Sequence, residues 1–173
     1  MLVMQTNVMV IGSILDRSSL FQGLSPAQQE LLRPVFDPCN YPSGKIIFEQ
    51  GEPAQYLYLL VEGEVDVNFK PDDGPQLTLS HLKPGDVVGW SAALGRSTYS
   101  ASAVCITNSQ FLRVCTHDLY NICANYPDTG RIIIDRLAAL VAKRINNTHA
   151  QVVAMLENSI HKPIGSKNDE SLK

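Results

Sequence analysis

Residues 44–69 read GKIIFEQGEPAQYLYLLVEGEVDVNF, and the fold turns on this stretch. Its apolar positions fall in short runs of β-branched and aromatic residues, not at helical spacing. Gly44, the Gly51-Glu52-Pro53 triplet and Gly63 cut those runs apart. Gly63 is in step with Val61, Val65, Val67 and Phe69, where a large side chain would otherwise face inward. Further on, LTLSHL, VVGW, SASAV and QFLRVC continue the pattern, separated by the PDDG turn at 71–74 and by Pro84-Gly85. KPDDGPQ reads as an exposed hairpin tip. Short strands at regular spacing with turn signals between them predict a β sandwich or barrel.

Helical periodicity flanks this region. Residues 12–36 read as helix in two pieces, SILDRSSLFQGL and SPAQQELL, broken at Gly23 and closed by Pro34 and Pro38. Ser25 is an N-cap, Pro26 suits the first turn, and Gln28 three positions on completes a capping box. THDLYNICANYP predicts a short helix capped by Thr116 and ended at Pro127. One long helix then runs over 128–160. It places Ile134, Ala138, Val141, Ile145, Thr148, Val152 and Met155 at alternating spacings of 4 and 3, the seam of a paired helix. Ile133, Leu137 and Leu140 form a second apolar face. The first face predicts a homodimer through residues 134–155, and the second predicts docking on the β region. The expected layout is 1–127 for the helical lead and β domain, 128–160 for the dimer helix, and 161–173 for a polar, disordered tail.

The 173-residue chain is 45% hydrophobic and 18% charged, as suits one globular domain with an appendage that needs no disulfide staple. A net charge of −3 argues against a nucleic-acid surface. Cys39, Cys105, Cys115 and Cys123 form no C-x-x-C pair, and Cys105 and Cys115 read as buried thiols. The apolar start lacks basic residues and is interrupted by Gln5, Thr6 and Asn7, so neither a signal peptide nor a membrane span is predicted. A cytoplasmic protein with reduced thiols is expected. His81, His117, His149 and His161 are scattered, and neither a Ser/His/Asp order nor a Walker loop is present. No metal site, cofactor or catalytic residue is therefore expected, and the chain is read as not an enzyme. His81 reads as a surface or hydrogen-bonding residue.

Several stretches together resemble the cyclic-nucleotide-binding domain of the Crp/Fnr regulators and of kinase regulatory subunits. LFQGLSPAQQELL is similar to that family's entry helix. The G-E-x-A and L-Y-x-x-x-x-G spacings of GKIIFEQGEPAQYLYLLVEGEVDV are similar to its first strands. LKPGDVVGW precedes its phosphate loop, and LAALVAKRINNTHAQVV is similar to its dimer helix. The resemblance covers roughly residues 18–158. It implies a mainly β fold with flanking helices: a cupin-like β jelly roll followed by a long C-terminal dimerisation helix.

The ligand loop departs from the family pattern, F-G-E-x-A-L followed by R-x-A-x-V-x-A. In GDVVGWSAALGRSTYSASA (85–103) the glycine is kept as Gly89, Trp90 stands where the ribose-binding Glu is expected, and Tyr99 stands where the phosphate-pairing Arg is expected. Arg96 reaches the pocket only if the register slips. A charge-assisted hydrogen bond contributes about 1.5–3 kcal/mol. Losing both partners thus predicts roughly a 10³-fold loss of affinity, and no tight binding of cAMP or cGMP.

Two readings stay open. In one, Gly89, Trp90, Ser91, Ala92, Tyr99, Ser100, Ala101 and Thr148 line a pocket for another small effector, which shifts the long helix. In the other, Trp90 and Tyr99 plug the pocket, and the chain is a constitutive dimeric scaffold for an unidentified protein partner. Thr148 is equally suited to setting register on the seam. Relatives of the regulator type continue into a helix-turn-helix domain, whereas residues 161–173 are polar. No direct DNA binding is expected, although a piece of a longer, nucleotide-binding regulator remains an alternative.

Overall fold

The computed structural model describes residues 20–160, with side chains described through Lys143. The helical lead before residue 20, the tail 161–173, and the side chains of Ile145, Thr148, Val152 and Met155 lie outside the described residues.

The chain enters through a turn at Leu20–Gly23 and helix α1 (Pro26–Leu32). The capping box is present: the Ser25 hydroxyl accepts from the Gln28 N–H at 3.3 Å, and the Gln28 amide oxygen accepts from the Ser25 N–H at 2.9 Å. A 3₁₀ turn at Arg33–Val35 leads into β1 (Phe36–Tyr41). The strands that follow are β2 (Ile46–Phe48), β3 (Tyr56–Glu62), β4 (Val65–Phe69), β5 (Leu77–Leu82), β6 (Val87–Val88), β7 (Ser102–Cys105) and β8 (Ser109–Cys115). A short helix α2 (Trp90–Ala93) separates β6 from β7. Helices α3 (Thr116–Asn125) and α4 (Pro127–Ile160) complete the described fold.

These strands form two four-stranded antiparallel sheets, β1-β8-β3-β6 and β2-β7-β4-β5. Consecutive strands alternate between the sheets for most of the chain, which is the jelly-roll order expected from the sequence. β1 was not anticipated. Pro38 reads as a strand breaker, yet among the described residues β1 is a sheet edge that pairs only with β8, and an edge tolerates a residue with no N–H to donate.

The run YLYLLV is continuous because β3 is buried on both faces. Tyr58 and Leu60 point between the sheets with Phe48, Val65, Leu82 and Phe111. Leu57 and Leu59 point the other way, into a second core with Phe21, Leu32, Phe36, Leu112, Leu119 and Ile133. The period-2 alternation of a strand assigns the two faces. Helix α4 closes the second core with Ile133 and Leu137, while Leu140 packs against its margin. Arg136 ties α4 to the chain entry by donating to the Leu20 carbonyl at 2.9 Å. The first turns of α4 thus share a core with the β domain. Gly130 allows α3 and α4 to touch: a Cβ there would lie 2.5 Å from the Cys123 Cα.

Three local expectations change. Cys115, not Thr116, is the N-cap of α3, because the Thr116 hydroxyl donates instead to the Gln55 carbonyl at 3.2 Å. Cys105 is buried, but Cys115 is only half-buried. Gly63 is required by its left-handed φ of +97° and by the Asn108 carbonyl, 2.7 Å from where a Cβ would sit, not by an inward-facing side chain.

His81 does make hydrogen bonds at the surface. On the solvent side of the β4–β5 pair its Nδ1 lies 2.7 Å from an Asp66 carboxylate oxygen, and its Nε2 lies 3.4 Å from Glu64. The hydrogen bond to Asp66, helped by the charges of Asp66 and Glu64, raises its pKa above the ordinary value, with burial and Lys83 acting against the rise. A cation held this way stabilises the fold fully below the unfolded-state pKa of about 6.5, and that contribution is lost as pH rises through the higher folded value. Denaturant midpoints measured across this window should fall with rising pH, and the slope should flatten in His81→Ala.

Candidate functional site

Gly89 caps helix α2 with φ +81°, and a Cβ there would sit 2.8 Å from the Tyr56 carbonyl oxygen, 3.3 Å from the Tyr99 ring and 3.4 Å from Phe48. Only glycine combines that backbone with so close an approach to β3. The four-residue helix then divides its side chains by angle. Positions three apart share a face, so Trp90 and Ala93 pack on the helix-side core, whereas Ala92 enters the core between the sheets.

The return limb of the loop is pinned by the Gly51-Glu52-Pro53-Ala54 turn. Gly51 N–H donates to the Tyr99 carbonyl at 2.9 Å, Tyr99 N–H donates to the Glu52 carbonyl at 2.9 Å, and Ala54 N–H donates to the Ser97 carbonyl at 3.0 Å. This ladder gives the G-E-x-A motif a structural role and fixes the loop register. Arg96 is left exposed, with its N–H bonded to the Ser91 carbonyl at 3.0 Å. The slip that would bring its guanidinium inward does not occur.

Tyr99 is the centre of the site. Its side chain is only 4% exposed, and its ring stacks on Phe48 with centroids 3.7 Å apart and planes 15° apart. The hydroxyl donates to the Tyr56 carbonyl at 2.8 Å and accepts from the Tyr56 N–H at 3.1 Å. Both hydrogen-bonding capacities of the phenol are therefore spent on β3 backbone. Burial pushes its pKa up, against the hydrogen bonds from the Tyr56 and Gln55 backbone, so the ring is neutral and offers an anion nothing. Around it, Ala101 is buried in the same core, and Ser91 and Ser100 share a hydrogen bond at 3.1 Å between their hydroxyls. Ser91 is buried and Ser100 exposed.

Of the eight residues predicted to line the site, Gly89, Ala92, Tyr99 and Ala101 meet at the sandwich interior, and the Ser91–Ser100 pair sits at the loop. Trp90 does not join them. Its indole is half-buried against the helix-side core, so Trp90 and Tyr99 do not pack together as a single plug: the face-splitting of α2 turns the indole away. Thr148 lies outside the residues whose side chains are described. Sequence reasoning missed Phe48 and Tyr56, which hold Tyr99. Both sit in strand-like runs where an aromatic is ordinary, and only the fold brings them to the loop. Among the described residues no group of three or more His, Cys, Asp and Glu side chains could hold a metal ion, and no helix is long and apolar enough to cross a membrane.

An antiparallel jelly roll carrying a glycine-capped helical turn between β6 and β7, followed by a long helix, defines a class of β rolls with a helical C-terminal extension. The family model described as "Cyclic nucleotide-binding domain" matches residues 38–126, and the chain belongs to that family. It is 33% identical over 135 residues to the "Cyclic AMP receptor protein" of Thermus thermophilus, covering 78% of this chain and 61% of that one. A cyclic nucleotide-binding domain from Methylobacillus flagellatus superposes with a TM-score of 0.75 at 22% identity, covering 94% of this chain and 88% of the other. The regulatory subunit of a cAMP-independent protein kinase A from Trypanosoma brucei has the same fold, with a TM-score of 0.67, 21% identity, and coverage of 87% and 52%. The chain spans about three fifths of the length of the curated regulators it matches, 61% and 63% for two of them.

Proposed function

We propose that this chain is a non-catalytic regulatory domain whose nucleotide cassette is closed by its own tyrosine, and that it acts as a dimeric interaction module without binding cAMP or cGMP tightly. The observation that carries this reading is the buried Tyr99 ring. It stands at the position where the family's phosphate-pairing Arg is expected, stacked on Phe48 and tied through its hydroxyl to both backbone groups of Tyr56. A cyclic nucleotide would have to displace that ring, break both hydrogen bonds and leave its phosphate without a cation. The space beside Gly89 is already taken by Tyr56, Tyr99 and Phe48, which favours the closed reading over an effector seated at this loop.

Output through α4 is supported by how its residues divide. Ile133 and Leu137 are buried in the domain core, while Ile134 is 50% exposed and Ala138 is exposed. An apolar row left bare on a long helix is the face a second copy would cover. The homodimer seam over 134–155 and a protein partner beyond it belong to this proposal, as does the absence of direct DNA contact and of any cofactor.

Isothermal calorimetry with cAMP, cGMP and cyclic dinucleotides tests the reading. No heat of binding is expected at micromolar ligand. Micromolar affinity for cAMP would overturn the closed cassette. Saturable binding of a different effector at the loop would replace it with the ligand-gated alternative.

A further inference from the structure

A polar side-chain cluster lies where the edge strand β1 of one sheet meets the body of the sandwich. The β1–β8–β3 register places Asp37, Arg113 and Tyr58 in one row across the sheet. Cys39, Tyr41 and Tyr56 pack half-buried against the inter-sheet core around them. The Arg113 guanidinium lies 4.8 Å above the Tyr56 ring, a geometry that holds a cation over an aromatic face. Its side chain is 35% exposed, but its Nε is buried with no hydrogen-bond partner among the described residues. The nearest carboxylate, Asp37, is 67% exposed and stops 3.9 Å from that Nε, too far for a hydrogen bond.

The Arg113 charge is met only in part: Asp37 faces it at the rim, Tyr41 is hydrogen-bonded to it and the Tyr56 ring lies below it, yet none of them engages the buried Nε. Burial pushes the Cys39 thiol above its ordinary value, with the Tyr41 hydrogen bond and Arg113 acting against the shift. Burial likewise raises the Tyr41 phenol. Both are neutral near pH 7, and although they are hydrogen-bonded to each other, the thiol and the hydroxyl can each turn to donate to an incoming anion. A fixed guanidinium fork, one desolvated N–H without an acceptor, and a neutral thiol and phenol beside it are complementary to a small oxyanion. Two oxygens of such an anion would match the fork edge-on.

We propose that the Arg113 cluster binds the oxyanion of a small molecule, a carboxylate or a phosphate group, at a place outside the Gly89–Tyr99 loop. Arg113 supplies the charge, Tyr41 and Cys39 supply further donors, and Asp37 lies at the rim as an internal competitor. The proposal does not rest on the closed cassette: Asp37, Cys39, Tyr41 and Arg113 lie outside the loop, and Tyr56, whose backbone bonds Tyr99, faces Arg113 only through its ring.

Amide chemical-shift titration of the full chain with inorganic phosphate, and separately with succinate, tests it. Saturable shifts centred on Cys39, Tyr56 and Arg113 are expected for at least one of the two anions, and the stronger responder identifies the source of the oxyanion. Arg113→Gln should weaken binding about tenfold or more, by loss of one charge-assisted pair. Asp37→Asn, a change at an exposed side chain that keeps the fold, should tighten binding by about threefold by removing the competing carboxylate. The absence of saturable shifts in both the wild-type chain and Asp37→Asn overturns the site, as do shifts unaffected by Arg113→Gln. Unchanged affinity in Asp37→Asn overturns it even if Arg113→Gln does not fold.

Discussion

Tyr99→Ala should lower the unfolding free energy by about 3–5 kcal/mol, the range for deleting a large buried aromatic side chain. The expectation rests on three losses at once. The ring leaves a cavity against Phe48, with which it is stacked at 3.7 Å. The Tyr56 N–H and carbonyl each lose the partner they have in the phenol. The return limb of the loop also loses the side chain that anchors it to β3. Tyr99→Phe separates these contributions: it keeps the ring and removes only the hydroxyl, so it should cost about 1–3 kcal/mol, the range for leaving buried polar groups unpaired. Urea titrations give both numbers. The single tryptophan, Trp90, sits beside Gly89 and reports the transition by fluorescence. A cost below about 1 kcal/mol for the alanine variant is what a solvent-facing side chain would give, and it would remove the basis for reading Tyr99 as the plug of the cassette.

Neighbouring isoleucines on α4 should behave in opposite ways. Ile133 is 1% exposed, in the core with Phe36, Leu112 and Leu119. A carboxylate placed there would be desolvated among apolar side chains, so Ile133→Asp should cost more than about 4 kcal/mol and leave little of the marginal stability of a domain this size. Ile134, one residue on and about 100° around the helix, is half exposed. In Ile134→Asp the folded unit should change by no more than about 0.5 kcal/mol, while the proposed dimer should dissociate as charge enters its apolar seam. Circular dichroism reads the first effect and light scattering reads the second. A folded Ile134→Asp protein with unchanged mass in solution would move the dimer interface off this face of α4.

The pair also illustrates what a linear reading can resolve. The spacing of Ile133, Leu137 and Leu140 against Ile134, Ala138 and Val141 separates two helix faces, and the structure buries Ile133 and Leu137, packs Leu140 at the margin of their core, and leaves Ile134 and Ala138 bare. Helical and strand periods are local geometry, so they survive in the sequence. The same holds for the Ser25–Gln28 capping box and for the strand runs punctuated by Gly44, Gly51, Gly63 and Gly85. The jelly-roll architecture was legible for that reason. β1 was not, because Pro38 breaks a strand or sits harmlessly in one according to whether its strand lies at an edge. That depends on how eight strands are ordered.

At the loop, the resemblance read from the chain places Tyr99 and Trp90 where the family pattern has an arginine and a glutamate, and so implies that the charge for gripping a phosphate is missing. It also determined that Gly89 must stay a glycine. Tertiary structure alone decided which aromatic packs between the sheets. Phe48 and Tyr56 come from strands far away in sequence, and their approach gives Tyr99 a ring to stack on and two backbone groups to bond. The helical turn after Gly89 rotates Trp90 toward a different core. Residue identity fixes charge and shape, but which of two neighbouring rings faces a given core is set by dihedral angles and long-range contacts that no single stretch of sequence contains.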